Sequence, residues 1–122
     1  MRGTNEIPKE RWADYLNALS NRLKNHPVQV RIEGHESGDQ PLSSDLPLLG
    51  ISCEKKGSEA DAIEISLAGQ DLKNMTHLVE HPERIYVQEA DNGEVACLDI
   101  EDRAKVKTLI FFREYAELPA GK

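Results

Sequence analysis

The first apolar pattern along the chain has the period of an α-helix. Apolar residues recur at intervals of three and four positions, so that they fall on one side of a helix with 3.6 residues per turn: Trp12, Tyr15, Leu16, Leu19 and Leu23. Pro8 suits the first turn, where its missing N–H leaves no hydrogen bond unmade. The pattern stops at the sequence Asn-His-Pro, residues 25–27. It therefore predicts one amphipathic helix over about residues 8–24.

After the helix, apolar and polar positions alternate, which is the period of a β-strand that is buried on one face. This alternation predicts about six strands, at about residues 28–33, 48–54, 62–68, 84–90, 95–101 and 105–112. Asp91-Asn92-Gly93 is typical of a tight hairpin turn. Short connections favour antiparallel neighbours. We therefore expect an α+β fold in which the helix packs on an antiparallel sheet, either open or curled toward a half-barrel.

Three segments lack a clear period. Residues 34–47 are polar and rich in Gly, Ser and Pro, which favours a long loop that is either mobile or functional. Residues 71–81 fit both a short helix and a strand, and residues 113–122 resemble a trailing tail. None of these segments looks like a linker between domains, so we expect a single domain over residues 1–122.

A metal-site motif occurs in the segment THLVEHPERIYV, because His77, Glu80 and His81 match the zinc-peptidase pattern H-x-x-E-H. Zinc chemistry requires both histidines on one helix, with the carboxylate beside them. Pro82, however, disfavours a helical conformation at His81, and the dipeptide His-Pro also precedes the strand at residue 28. We therefore assign no metal ligand here, and the choice between helix and strand stays open. A zinc-dependent hydrolase, with His77 and His81 as ligands and Glu80 as general base, is the alternative.

Other candidate sites are less specific. A cation could bind to four residues of the polar loop: His35, Glu36, Asp39 and Asp45. A small-ligand pocket could lie near Trp12 and Tyr15, although their spacing is that of ordinary core residues. Cys53 lies on the apolar face of its strand, as an inert buried cysteine does, and Cys97 is expected to face away from Leu98. We therefore assign no catalytic residue and no cofactor.

Composition narrows the choice of partners and compartment. The net charge of −7, from 22 acidic and 15 basic residues, argues against the binding of nucleic acid. No apolar run approaches the length of a membrane helix, which argues against a membrane as a partner of this chain. The two cysteines are far apart and form no C-x-x-C pair, so we expect a reduced, cytoplasmic protein.

The last predicted strand is apolar on both faces over Leu109–Phe112. Either the helix covers one of these faces, or that face meets a second copy of the chain. The preferred function is therefore a non-catalytic binding or interaction module, in which homodimerisation would be tested at Phe112.

The order of these segments resembles a known family of small bacterial domains of unknown function. The similarity lies in DLPLLGIS (45–52), AIEISL (62–67), THLVEHPERIYV (76–87) and TLIFF (108–112), which follow an N-terminal Trp12. It extends from about residue 5 to 113. The resemblance implies a bacterial, stand-alone domain, and it implies no activity, cofactor or catalytic residue.

Overall fold

A computed structural model of the chain describes residues 3–34, 40–56, 59–69, 74–90 and 94–112. In these ranges one α-helix, preceded by a single 3-10 turn, is combined with eight strands. In chain order the elements are β1 (Gly3–Glu6), the 3-10 turn (Lys9–Arg11), α1 (Trp12–Arg22), β2 (Pro27–Glu33), β3 (Gln40–Lys56), β4 (Glu59–Ala68), β5 (Asn74–Glu80), β6 (Pro82–Glu89), β7 (Val95–Asp102) and β8 (Lys107–Phe112). The predicted α+β class is confirmed, with more strands than the six expected.

The predicted N-terminal helix is confirmed, with a tighter first turn. Pro8 precedes the 3-10 turn in an extended conformation, and Asn25 takes a left-handed conformation with φ of 71° just after the helix. The side chains of the predicted stripe are buried in the main core: Trp12, Leu16, Leu19 and Leu23. Tyr15 is partly buried beside them. The helix forms, therefore, because its apolar spacing matches the face that it buries.

All eight strands belong to one antiparallel sheet with the order β1-β6-β7-β8-β2-β3-β4-β5. β5 and β6 lie near opposite ends of this order, yet His81 alone connects them along the chain. Because two successive Cα–Cα steps span at most about 7 Å, the sheet must curl until its two ends approach each other. β4 accordingly lies against β6, and β5 against β7. The sheet does not close into a barrel, since β1 and β5 do not pair.

The prediction of a loop over residues 34–47 is wrong from residue 40 onward, because β3 begins at Gln40. Residues 35–39 lie outside the described ranges. β3 has one extra residue between its pairs with Val28 and Val30, and another between its pairs with Val30 and Arg31. Each such bulge shifts the alternation of side chains by one position. The sequence of this strand therefore shows no continuous period of two.

Two further strands were not predicted. β1 has the sequence GTNE, without an apolar residue, and it forms by pairing with β6, Gly3 opposite Glu89. β5 pairs with β4 along the segment that fits both a helix and a strand. Both are edge strands, where few apolar contacts are needed and the alternation is correspondingly weak. The residues of the predicted tail, 113–122, lie outside the described part of the chain.

The helix and the turn after it also form hydrogen bonds with backbone groups along one edge of β3. The backbone N–H of Asn25 donates to the Leu48 carbonyl at 2.7 Å, and the Leu48 N–H donates to the His26 carbonyl at 2.9 Å. Farther along β3, the Ile51 N–H donates to the Ser20 hydroxyl at 2.8 Å. The Ser20 hydroxyl in turn has two acceptors in reach, the carbonyls of Leu16 at 2.7 Å and of Ile51 at 3.0 Å. α1 therefore takes the place of a neighbouring strand beside β3.

The core lies between the helix and the concave face of the sheet. Ile110 and Phe112 of β8 point into it, whereas Leu109 and Phe111 lie half-buried on the convex face. Phe112 is only 7% exposed, so the idea that it would mark a dimer surface is wrong. Within the described ranges, no helix has the length and apolar character that a membrane crossing requires.

Candidate functional site

The residues of the H-x-x-E-H motif lie on β5 and on the corner after it. His77 is opposite Ile65 of β4, and Glu80 is opposite Ala62. His81 lies between β5 and β6 with a φ of 54°. Of the helix and the strand that this segment fits, the strand forms, and the helix required by the zinc hydrolase alternative does not form over the described part of that segment, Asn74–Glu80.

The His, Cys, Asp and Glu side chains of the rest of the described structure are also too far from one another to form a metal site. Among the residues that the structure describes, no three His, Cys, Asp or Glu side chains lie close enough together to hold one metal ion. His35, Glu36 and Asp39 of the predicted cation loop lie outside the described ranges. Asp45 belongs to β3, where it is exposed and has a φ of 54°. The structure therefore places Asp45 on a strand and not in a loop.

A cavity of about 590 Å³ opens where the two ends of the curled sheet approach each other. We call it the seam cavity. β5 and the His81 corner form one side of it, and the turn between β7 and β8 forms the other. Its apolar lining includes Ile32, Val79, Ala104 and Val106. Volumes of this size are typical of small-molecule sites.

The β7–β8 turn is fixed by its own hydrogen bonds. Oδ1 of Asp102 accepts the N–H of Ala104 at 2.9 Å and that of Val106 at 3.0 Å. Lys105 takes a left-handed conformation with φ of 69°. The N–H of Arg103 donates to the carbonyl of His81 at 3.0 Å, which joins the turn to the β5–β6 corner. The two sides of the seam cavity are therefore held together at this end.

Two neutral polar side chains lie inside the seam cavity. Thr108 is 2% exposed and lies on the concave face of β8, where the alternation with Ile110 and Phe112 directs it inward. His77 is half-buried on the concave face of β5. Burial lowers the pKa of His77, because the charged imidazolium loses hydration. Thr108 was not predicted as a site residue, because the apolar sequence that follows it does not show which face of β8 is inward.

The charged groups of the seam cavity lie at its rim. Glu80 and Arg103 are exposed to solvent. Asp102 is partly buried, and its Oδ1 is already used by the two backbone donors of the turn. The inside of the cavity is therefore apolar with neutral hydrogen-bonding groups, and the full charges remain near water.

The outer edge of β5 is a second notable surface. In the described residues no strand pairs with this edge. Met75, at 37% exposed, and Leu78, at 47%, are the large apolar side chains that remain exposed in the described part of the chain, and both belong to β5. The sequence from Asn74 to Val79 contains no Asp, Glu, Lys or Arg. Natural edge strands commonly carry such charges, which prevent pairing with other chains.

The pocket expected near Trp12 and Tyr15 is smaller than the seam cavity. Trp12 is 1% exposed, and its indole N–H donates to the Ile7 carbonyl at 2.8 Å, as a core residue does. Tyr15 lines a hollow of about 170 Å³ together with Arg22 and Glu89. Burial raises the pKa of Tyr15. Trp12 is thus part of the core, and only Tyr15 borders this hollow.

A group of partly buried polar residues on the convex face was not predicted. Oδ1 of Asp99 and Nε of Arg31 are buried without a hydrogen-bond partner. They lie on the two strands that flank β8, each opposite Leu109. Burial raises the pKa of Asp99, although Lys107 lowers it in part. Isolated charged positions in alternating strands resemble solvated surface positions, so their burial was not predictable from the sequence.

Neither Cys53 nor Cys97 forms a disulfide bond. Cys53 is partly buried against the core, and Cys97 is buried on the convex face, opposite Phe111. Burial raises the pKa of Cys97 to about 12, with further contributions from Asp99 and Glu33. The Cys97 thiol is therefore protonated at neutral pH and is not a nucleophile.

Comparisons with known proteins agree with the family resemblance. A family model described as a family of unknown function, DUF5335, matches residues 3–121. A protein of Aquifex aeolicus (strain VF5), named "Uncharacterized protein", is 34% identical over 116 residues, which are 95% of this chain and 97% of the relative. No solved structure matches the chain. The resemblance to a family of unknown function with a bacterial member is confirmed, and neither description names an activity.

Proposed function

We propose that this chain, which belongs to the DUF5335 family of unknown function, is a non-catalytic interaction module that pairs with a second copy of itself through the outer edge of β5. The observation that carries the proposal is the uncharged, apolar character of this open edge. A free strand edge presents unpaired N–H and C=O groups, which another strand can satisfy. The pairing would continue the sheet from one copy into the other.

The charge distribution permits pairing of two copies along β5. Each chain has a net charge of −7, so two copies repel each other over most orientations. An antiparallel pair with its two-fold axis at His77 would bring together only uncharged residues from Met75 to Val79. Glu80 of one copy would lie opposite Asn74 of the other. The two Glu80 carboxylates would then be about 20 Å apart, beyond the screening length in physiological salt.

The apolar side chains are also self-complementary in this pairing. Met75 of each copy would pack beside Val79 of the other on the concave face, and Thr76 would lie beside Leu78 on the convex face. Such cross-strand neighbours are the main unit of sheet stabilisation. The contact area of one strand pair is at the low end for specific interfaces, so we expect a dimer with a micromolar dissociation constant.

The chemical state of the described side chains supports a non-catalytic role. The Cys97 thiol is held in its protonated form, and the H-x-x-E-H residues lie on a strand and a corner. We also propose a cytoplasmic location, because Cys53 and Cys97 form no disulfide bond, as is usual for cysteines in a reducing compartment.

Light scattering coupled to size-exclusion chromatography, over a concentration series from micromolar to millimolar, tests the proposal. We expect a monomer–dimer equilibrium in the wild type and a monomer for Leu78→Lys. In the dimer, the two added lysines would lie near each other on the same face of the strand pair and would repel each other. Thr4→Lys is the matched control, because Thr4 is exposed on β1, the opposite edge strand of the sheet. It should leave the dimer unchanged. A wild type that stays monomeric, or a dimer that Thr4→Lys abolishes and Leu78→Lys does not, would contradict the proposal.

A further inference from the structure

We infer that the seam cavity is a binding site for a small, mainly apolar, uncharged molecule that carries one hydrogen-bonding group such as a hydroxyl or a carbonyl. This inference goes beyond self-association and does not depend on it. The site is formed by residues of one chain, on the concave face of β5 and on the β7–β8 turn. Its ligand class follows from which groups lie inside the cavity and which lie at its rim.

The size and lining of the cavity favour an apolar body. The volume of about 590 Å³ lies within the range of known small-molecule pockets. Ile32, Val79 and Val106 provide an apolar surface from three different elements. Transfer of an apolar molecule from water onto such a surface is favourable in proportion to the area that is buried.

The polar groups inside favour an uncharged head group. The Thr108 hydroxyl and the His77 imidazole can each donate and accept a hydrogen bond, which suits a hydroxyl or a carbonyl. Both belong to the cavity lining, and Thr108 is almost fully buried. The lowered pKa of His77 agrees with a neutral imidazole in this position.

The charged groups argue against an ionic ligand. Glu80 and Arg103 carry opposite charges at the exposed rim, and Oδ1 of Asp102 already accepts two N–H groups of the turn. An ammonium or carboxylate group beside Thr108 would lose its hydration without meeting a buried counter-charge. Such burial is costly, whereas a neutral head group exchanges water for two available partners.

Three probes with the same body and different head groups test the charge class. 2-Naphthol, 2-naphthoate and 2-naphthylmethylammonium would each be titrated into the ¹⁵N-labelled full chain and followed by NMR. We expect 2-naphthol to bind at least about tenfold more tightly than either ion, with the largest amide shifts at Val79, Ala104 and Val106. Tighter binding of either ion would overturn the ligand class. Absence of binding by all three up to their solubility limits would overturn the site.

One variant tests the contact between Thr108 and the head group. Thr108→Val keeps the shape and removes the hydroxyl, so 2-naphthol should bind about five- to tenfold more weakly, while naphthalene, which has no head group, should bind as before. Thr76→Val is the matched control, because Thr76 is exposed on the convex face of β5. An equal loss in Thr76→Val, or unchanged binding in Thr108→Val, would overturn the role of Thr108.

A second variant keeps the test decisive if Thr108→Val does not fold. Ala104 is exposed at the mouth of the seam cavity, so Ala104→Trp would fill the opening without changing the core. It should abolish the binding of 2-naphthol, and light scattering should give the same oligomeric state as for the wild type. Retained binding in Ala104→Trp would place the naphthol elsewhere and overturn the inference.

Discussion

Replacing Ser20 with alanine removes the hydroxyl that joins α1 to the edge of β3. In the wild type this oxygen accepts the Ile51 N–H at 2.8 Å, and Ile51 is 2% exposed. The substitution leaves a buried N–H without a partner, which costs about 1–3 kcal/mol of stability. Alanine is the better helix former, so about 0.5 kcal/mol is regained. We therefore expect Ser20→Ala to lower the free energy of unfolding by about 0.5–2.5 kcal/mol.

The assay is urea denaturation, followed by far-ultraviolet circular dichroism, at equal protein concentrations. For 122 residues, 1 kcal/mol corresponds to about 4 °C in Tm, so thermal denaturation should show a decrease of about 2–10 °C. Asn17→Ala is the matched control, because Asn17 is exposed on the same helix and reports the gain in helix propensity alone. Hydrogen exchange gives a local measurement, in which the Ile51 amide should exchange faster than in the wild type.

The reasoning is refuted if Ser20→Ala is as stable as Asn17→Ala. An unchanged exchange rate at the Ile51 amide would refute it separately, because it would mean that another group, or water, satisfies this donor. Ser20→Thr retains the hydroxyl and should recover most of the stability, apart from a small cost for a β-branched residue in a helix.

Two further predictions concern titratable groups. Burial lowers the pKa of His77, so the unfolded chain binds this proton more readily than the folded chain does, and stability should be lost as the pH falls through about 6.5. His77→Asn should reduce the loss that urea denaturation measures between about pH 7.5 and about pH 5, and an undiminished loss would assign it to other groups. Because burial and Asp99 raise the pKa of Cys97 to about 12, the Cys53→Ser variant should react with a thiol reagent only after unfolding in urea. A rapid reaction of the folded variant would contradict the protonated, buried state.

How far the sequence predicts the fold depends on whether a pattern is local. The helix was predictable because Trp12, Leu16 and Leu19 repeat with a period that only one conformation satisfies. β1 was not, because its polar residues are strand only through pairing with β6, more than eighty residues away. β3 was found only after Leu48, since its two bulges interrupt the alternation before that point.

The candidate site was partly predictable for the same reason. Pro82 disfavoured a helical conformation at His81 and so argued against a zinc site, but the pattern around His77 fitted a helix as well as a strand. The seam cavity was not predictable, because β5 and the β7–β8 turn meet through the curl of the sheet and not through strand pairing. The faces of β8 were also undetermined, because Leu109 to Phe112 is apolar throughout. Only the register with β7 and β2 places Phe112 inside and Phe111 outside.

The position of β2 in the middle of the sheet has a consequence for biosynthesis. β2 is the second strand in chain order, yet one of its two neighbours is β8, with Val28 opposite Phe112. While the ribosome is making the intervening residues, one edge of this buried apolar strand has no partner and is open to wrong pairing. Closing so long a loop is also slow. The nascent chain therefore cannot complete its sheet until Lys107–Phe112 has been synthesised, and we expect folding to be late in translation and the unfinished chain to depend on chaperones that shield β2.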